Sequence, residues 1–308
     1  MNVPFPKIHI VVNPASGKDE PILNTINDVF HQYGVNWSVS VTRKYGDAEE
    51  QAIAAIAAGA DLVAGYGGDG TQHEIANAIM NAAVQTGRRV PMGVLPGGTG
   101  NGFAREMNIP RTLRPAVELL CTSQNLRHID VAHLSDLGQA HVSDEYFIQR
   151  LYVGIEPEQQ TSRAMKDKYG VFAYAVSMRR QKNSLATARY QAVVDGVETV
   201  EFEANKVYVV NSGMMGTGFA ISHTYAIDDG LLDAFVLNKE ARETLTAAVD
   251  HFLDRNTPAS KKYYRQCRQL SLNTDPDQPI WADGEYIGRT PVTIRVLPGA
   301  LAVVVPAL

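Results

Sequence analysis

Gly67-Gly68-Asp69-Gly70-Thr71 is the stretch of this sequence best suited to chemistry: a glycine turn between an apolar run, Leu62 to Tyr66, and a helix-like run that begins at Gln72. Glycine lets the backbone take positive φ and come close to a bound group that a Cβ would obstruct. A helix that follows such a turn presents N–H groups and the positive end of its dipole, which together favour an anion such as phosphate. Asp69 would repel a polyphosphate unless a cation lay between them. The aspartate therefore implies Mg2+ bridging carboxylate and phosphate oxygens. A second reading of the same residues is a tight strand-to-helix turn in which Asp69 or Thr71 caps the helix, and Thr71-x-x-Glu74 has capping-box spacing.

The elements that must position this turn repeat along the first half of the chain. Ile8 to Val12 reads as a buried strand that empties into Asn13-Pro14-Ala15-Ser16-Gly17-Lys18, a phosphate-sized loop carrying a cation. A helix from Ile22 to Tyr33, apolar at Ile22, Ile26, Val29 and Phe30, is closed by Gly34, and Val35 to Thr42 alternates like a strand. Asp47 to Ala58 is a second helix, Asp61 to Tyr66 the strand before the glycine turn, and Thr71 to Thr86 a third helix. Met92 to Leu95 then leads into Pro96-Gly97-Gly98-Thr99-Gly100-Asn101-Gly102. Alternating strands and helices predict a parallel sheet wrapped by helices, with ligands beyond the carboxyl ends of the strands, where all three loops fall.

After a helical segment from Leu113 to Leu120 the pattern changes. Strand-like runs at Arg127–Leu134, Tyr146–Val153, Thr187–Asp195, Thr199–Val210, Leu231–Leu237, Arg268–Leu272 and Val292–Val296 point to an antiparallel sheet or sandwich. Helical segments at about Glu158 to Lys182 and Glu240 to Asp254 interrupt it. The expected fold is α/β plus all-β: an N-terminal Rossmann-like parallel-sheet nucleotide domain, residues 1–130, and a C-terminal antiparallel β-sandwich domain, residues 131–308. The last strand-like run, Leu301 to Val305, fits either domain.

Length and composition agree with two ordinary globular domains: 308 residues, 45% apolar and 20% charged. A net charge of -5 argues against nucleic acid as a partner. Two distant cysteines, Cys121 and Cys267, suggest neither a metal pair nor a disulfide framework, which makes the cytoplasm the expected compartment. No signal-peptide pattern and no run of about 18 apolar residues is present, so membrane contact would be peripheral. One surface for it is Glu158 to Asn183, where Arg163, Lys166, Lys168, Arg179, Arg180 and Lys182 accompany Tyr169, Phe172 and Val176; the same segment also reads as a helix packed by its aromatic side with solvated charges outside. Lys261, Lys262, Arg265 and Arg268 form a second basic cluster, which reads as a solvated edge strand.

Taken together, Asn13-Pro-x-Ser-Gly17, Gly67-Gly-Asp-Gly-Thr71 and Leu95-Pro-x-Gly-Thr99-x-Asn101 resemble the diacylglycerol kinase catalytic family, which includes bacterial lipid kinases and sphingosine kinases. The resemblance continues through Ala226-Ile-Asp-Asp229-Gly-Leu231 and Asp283-Gly284-Glu285 and so covers nearly the whole chain. It implies an ATP- and Mg2+-dependent kinase that transfers the γ-phosphate to a lipid hydroxyl such as that of diacylglycerol, working in the cytoplasm or at the inner face of the membrane. A homodimer is admissible. By the same resemblance the nucleotide site falls on Asn13, Thr42, Gly67, Gly68, Asp69, Gly70, Thr71, Gln72, His73 and Thr99, with Asp69 also catalytic and Glu285 the proton acceptor. Its metal positions fall on Asp229, on main-chain carbonyls of Ala226 and Leu231, and on Asp130 near the phosphates. Two positions depart from the family: Gly102 stands where many members have Asp, and His73 where many have Asn. Alternative readings are a soluble-metabolite kinase of the NAD kinase type, which shares the Gly67–Thr71 turn, and a catalytically weak lipid-binding regulator, motivated by the two departures.

Overall fold

The computed structural model describes residues 3–16, 20–138, 144–154, 187–212, 214–215, 219–220, 226–237 and 264–307. Its chain divides into two compact units, Met1–Val131 with Pro298–Leu308, and Ala132–Leu297. The loop residues Gly17 and Lys18, both expected helical segments of the second half, the basic residues between 158 and 183, and Lys261 and Lys262 lie outside the described residues.

In the first unit the chain runs β1 (Lys7–Val12), α1 (Ile22–Tyr33), β2 (Asn36–Val41), α2 (Asp47–Ala57), β3 (Leu62–Gly67), α3 (Asp69–Thr86), β4 (Met92–Pro96), α4 (Gly102–Glu106), α5 (Leu113–Thr122) and then into β5 (Leu126–Ser135). The strands lie parallel in the order β2-β1-β3-β4. Every residue of β3 and of β4 is buried, which is why these strands read as unbroken apolar runs. α1 buries Ile26, Val29 and Phe30 and ends at Gly34, whose φ of 70° is the left-handed C-cap that glycine accepts without penalty. Because β1 has β2 on one side and β3 on the other, the winding direction reverses between β1 and β3. That is the crevice where open parallel sheets bind ligands.

The second unit contains β6 (Glu145–Phe147), β7 (Arg150–Gly154), β8 (Ala188–Val194), β9 (Glu198–Ala204), β10 (Lys206–Val210), β11 (Met214–Met215), β12 (Phe219–Ala220), β13 (Leu232–Leu237), β14 (Tyr264–Cys267), β15 (Gln269–Asp275), β16 (Pro279–Ala282), β17 (Glu285–Arg289) and the start of β18 (Val292–Val304). One antiparallel sheet has the order β14-β13-β10-β7-β16-β17, while β18, β15, β8 and β9 run in the other. Leu151, Val153, Val207, Val209 and Ile280 from the first share one core with Tyr190, Leu270, Leu272 and Ile294 from the second, as a sandwich requires.

Two expected strands are broken and two are fused. Tyr146–Val153 divides into β6 and β7 because the N–H groups at 148–150 turn to a carboxylate instead of a strand. Thr199–Val210 divides at Asn205, where the chain leaves β8 as a partner and pairs with β7 and β13. β18 runs unbroken from Val292 to Val304. Its end pairs Val303 with Met92 of β4, so the terminal run belongs to the first unit.

His9 on β1 ties the edge strand down: its Nδ1 lies 2.8 Å from Ser38 Oγ and its Nε2 2.9 Å from Ser40 Oγ. Burial holds its pKa below the ordinary 6.5. A histidine with a lowered folded pKa binds fewer protons when folded. Stability is therefore complete above pH 6.5 and falls as pH drops from there toward the folded value. Thermal unfolding between pH 7 and 5 is expected to show a larger loss in wild type than in His9→Gln; parallel declines would assign the acid sensitivity elsewhere.

Candidate functional site

The strand order sets Thr42, Asn13, Gly67 and Gly97 side by side along the carboxyl edge of the first unit's sheet. Backbone bonds stitch these ends together. Thr42 donates its N–H to Val12 O and Asn13 to Tyr66 O, both at 2.9 Å, while Gly97 and Gly98 donate to Gly67 O at 2.9 and 3.3 Å. Asn13 spans the crevice between β1 and β3, its Nδ2 donating to Thr71 Oγ1 at 3.2 Å. Its own Oδ1 accepts from Ala15 N at 3.0 Å, holding the first loop closed.

The glycines of this cluster serve a purpose other than the expected one. None of Gly67, Gly68, Gly70, Gly97, Gly98 and Gly100 has positive φ. What they supply is clearance between loops. A Cβ on Gly67 would lie 2.3 Å from Thr71 Oγ1, one on Gly97 2.8 Å from the Tyr66 ring, and one on Gly98 2.6 Å from the Gly68 Cα. The second and third loops thus touch backbone to backbone.

Asp69 begins α3, but its carboxylate reaches the next helix. Oδ2 accepts from Gly102 N at 3.1 Å and Oδ1 from Phe103 N at 3.0 Å, so Asp69 caps α4 from a distant turn. Asn101, in the left-handed region at φ 49°, bridges Gly98 by accepting from its N–H at 2.9 Å and donating to its carbonyl at 2.6 Å. Thr99 stands exposed at the tip between these clamps. α3 has Gly68 as its N-cap with no side-chain cap, and its first backbone bond comes from Gln72 N to Gly68 O. The N–H groups of Asp69, Gly70 and Thr71 precede that bond, at a half-buried turn.

The capping-box reading needs correction. The capping box fails because Glu74 caps α2 instead, accepting from Gly46 N at 2.9 Å and Ala48 N at 3.0 Å. Burial raises the Glu74 pKa although those N–H groups and His73 oppose it. Gln72 and His73 are each 2% exposed, so their side chains belong to the interior. Gln72 Nε2 donates to Gly65 O at 3.0 Å, and His73 Nε2 lies 3.4 Å from Asn77 Nδ2. Asp130, 1% exposed, accepts from Gly299 N at 2.8 Å and so pins the returning C-terminal strand.

Sequence reasoning missed Arg43, Lys44, the role of Tyr66, and α4. Arg43 and Lys44 stand exposed directly after Thr42, their N–H groups held by the Asp47 carboxylate at 2.7 and 3.2 Å, and those bonds lower the Asp47 pKa. Tyr66, fully buried, donates its hydroxyl to Glu20 Oε1 at 2.7 Å and supports the far end of the first loop. α4 is too short, at five residues, to show a helical period.

In the second unit, Asp283 and Gly284 form the turn between β16 and β17 with φ of 49° and 102°, the doubly positive turn that Asp-Gly favours. The Asp283 carboxylate is 7% exposed and accepts from Ile148, Gln149 and Arg150 N at 2.9, 3.0 and 2.9 Å. Glu285 follows on β17, half-buried, opposite Ala282. Ala226, Asp229 and Leu231 come together in one turn: Asp229 N donates to Ala226 O at 3.3 Å and Asp229 Oδ1 accepts from Leu231 N at 2.9 Å. Buried Asp233 on β13 accepts the Tyr264 hydroxyl; burial, with the Asp229 charge adding, pushes its carboxyl up to about 7. Among the described residues no three His, Cys, Asp or Glu side chains gather as a metal cage.

Residues 7–134 match the family described as the diacylglycerol kinase catalytic domain, and residues 150–305 match a C-terminal NAD kinase β-sandwich-like domain. A protein of Staphylococcus saprophyticus named diacylglycerol kinase is 24% identical over 92% of this chain and 90% of its own length. An uncharacterised protein of Synechocystis is 24% identical over 97% of this chain and 70% of its own. A crystal structure of a diacylglycerol kinase from Bacillus anthracis shares the fold with a TM-score of 0.77 at 23% identity, covering 98% of each chain.

Asp283→Ala strands three N–H groups, two of them buried, and is expected to cost about 3 kcal/mol of second-unit stability, read by urea unfolding through the fluorescence of neighbouring Trp281. A change within about 0.5 kcal/mol would show that the three bonds are replaceable.

Proposed function

Since this chain belongs to the diacylglycerol kinase catalytic-domain family, we propose that it is a lipid kinase that transfers the γ-phosphate of ATP to a lipid hydroxyl, with Mg2+ as cofactor and diacylglycerol as the first acceptor to try. The observation that carries the reading is the loop cluster itself. Asn13, the Gly67–Thr71 turn, Thr42 and the Gly97–Asn101 loop end at one edge beside the winding reversal, where phosphates fit.

A polyphosphate suits the donors there. The first N–H groups of α3 point out of the helix, and Arg43 and Lys44 bring mobile positive charge to the end of the neighbouring strand. Exposed Thr99 offers a hydroxyl from the opposing loop. Mg2+ keeps several waters and takes one or two carboxylates plus phosphate oxygens, so a full protein cage is not required. Each Asp69 oxygen retains acceptor capacity beside its backbone bond and is the carboxylate assigned to that ion, which when bound offsets charge on the transferred phosphoryl group. The chain contributes alignment, through loops too closely packed to yield, and charge compensation from N–H groups and cations.

Glu285 is assigned as the base that takes the acceptor's proton. Asp283 fixes the start of its strand from beneath, which divides the acids of this turn between support and chemistry. The Ala226–Leu231 turn, with one carboxylate and two carbonyls, is assigned a supporting Mg2+ rather than a reacting one. The acceptor is met peripherally, from the cytoplasm at the inner face of the membrane; no helix among the described residues is long and apolar enough to cross it.

Purified protein with labelled ATP and Mg2+, offered diacylglycerol, a sphingoid base, phosphatidylglycerol, an isoprenoid alcohol and NAD in mixed micelles, tests the reading. Transfer to a lipid alcohol is expected. Label appearing only on NAD would replace it with a soluble-metabolite kinase, and binding without transfer with a regulator. Glu285→Gln is expected to lower kcat by roughly 100- to 10,000-fold with an unchanged unfolding midpoint. Full turnover in that variant would move the base elsewhere.

A further inference from the structure

α2 and α3 both start at the carboxyl edge of the first unit's sheet, and their amino ends are treated in opposite ways. α3 has no side-chain cap at Gly68. α2 has none at Gly46 either, yet its amino end is closed from outside. Glu74, in the second turn of α3, sets Oε2 2.9 Å from Gly46 N and 3.0 Å from Ala48 N, and the Glu49 N–H adds to that hold. Asp47 turns back to accept from Arg43 and Lys44 N at 2.7 and 3.2 Å, while its own N–H goes to Lys44 O at 3.4 Å. With Thr42 N bonded to Val12 O, the N–H groups of Thr42, Arg43, Lys44, Gly46, Asp47 and Ala48 all meet acceptors within the chain.

Two carboxylates at the amino end of α2 offset the positive end of its dipole, and a polyphosphate would find those main-chain donors taken. The amino end of α3, left open, is where an anion is favoured. What the turn after β2 still offers is the exposed side chains of Arg43 and Lys44. Such long cations bind an anion well only from a fixed backbone, because ordering a rotamer-rich side chain already costs free energy to which a drifting backbone would add. Glu74 supplies that fixing from the same helix whose first turn carries the open N–H groups, and Asn81 of α3 holds Glu49 of α2 at 3.0 Å further along.

We infer that Glu74 is a positioning residue for nucleotide binding. It ties the turn at 43–46 to α3, so that Arg43 and Lys44 meet the same polyphosphate as the α3 amino end, and by closing α2 it directs the anion to α3. This role rests on the nucleotide reading of the loop cluster, and Glu74 acts through its neighbours without touching the nucleotide.

Calorimetric titration of ATP with Mg2+ into the full chain, without acceptor and below every variant's unfolding midpoint, tests it. Glu74→Ala should weaken ATP binding about tenfold, whereas Glu74→Gln, whose amide oxygen still accepts, should stay within about threefold of wild type. Replacing Arg43 and Lys44 together by alanine should weaken it about tenfold in wild type and less than about twofold in Glu74→Ala, since cations no longer held have little left to lose. Glu74→Asp, which keeps the charge and draws it back by one methylene, carries the same cycle should the alanine variant not fold. Arg88→Ala is the structural control: Arg88 donates to Ile56 O at 2.6 Å and Ala60 O at 2.7 Å, at the other end of α2, and its loss should lower the unfolding midpoint without changing ATP affinity. An affinity loss in Arg88→Ala as large as that in Glu74→Ala overturns the assignment, and so does an Arg43 and Lys44 loss equal in both backgrounds; ATP binding by wild type would leave the kinase reading standing in either case. A wild type that binds no ATP removes both.

Discussion

Close backbone approach at the carboxyl edge of the first sheet is the constraint from which the loop cluster follows. The Gly98 position leaves no room for a Cβ, with the Gly68 Cα 2.6 Å from where it would sit, and Gly67 O accepts from both Gly97 and Gly98. Two strand-to-helix loops can be so close only because both are glycine at the contact and because β3 and β4 are adjacent and parallel. Once they touch, Asp69 reaches the first N–H groups of α4, and Asn101 can fold back on Gly98. A rigid edge results, and rigidity is what phosphoryl transfer asks of a protein that contributes chiefly alignment.

Carboxylates acting on distant backbone recur through the chain. Asp69 caps α4, Glu74 caps α2, Asp47 holds the turn at 43 and 44, and Asp283 holds three consecutive N–H groups. Asp195 does the same for Arg268 and Gln269, and Asp130 for Gly299. Each places an acceptor where the backbone leaves regular structure and its donors have no ladder partner. The chain is acidic, yet much of that acid is spent on geometry. In Asp283-Gly284-Glu285 the buried acid fixes the turn, while Glu285 stands half-buried on the strand that follows.

Much of this was legible in the sequence, and the exceptions have physical causes. The six-element alternation from Ile8 to Thr86 came through because parallel strands buried on both faces are unmistakably apolar and α1 carries a clean buried stripe. The glycine turn was found, but the demand on its glycines was misread, since crowding by Thr71 and Gly68 is a tertiary fact that no local pattern carries. Glu74 sits at capping-box spacing from Thr71 and serves another helix; spacing alone cannot say which N–H groups a carboxylate meets. The break between β6 and β7 was hidden because Asp283, the acid that causes it, lies 133 to 135 residues away. The expected runs Val292–Val296 and Leu301–Val305 join into one strand, and Asp130 receives the Gly299 N–H between them.

The open edge and the loop cluster share a strand. β2 carries Val39 at its edge and, three residues on, delivers Thr42, Arg43 and Lys44 to the end of the sheet. His9 holds the inner side of that strand through two serine hydroxyls, while the outer side of Val41 is held by one amide of Gln51. A strand paired on one side frays more readily than one paired on both, and its fraying would move Thr42 relative to Asn13, the next wall of the crevice.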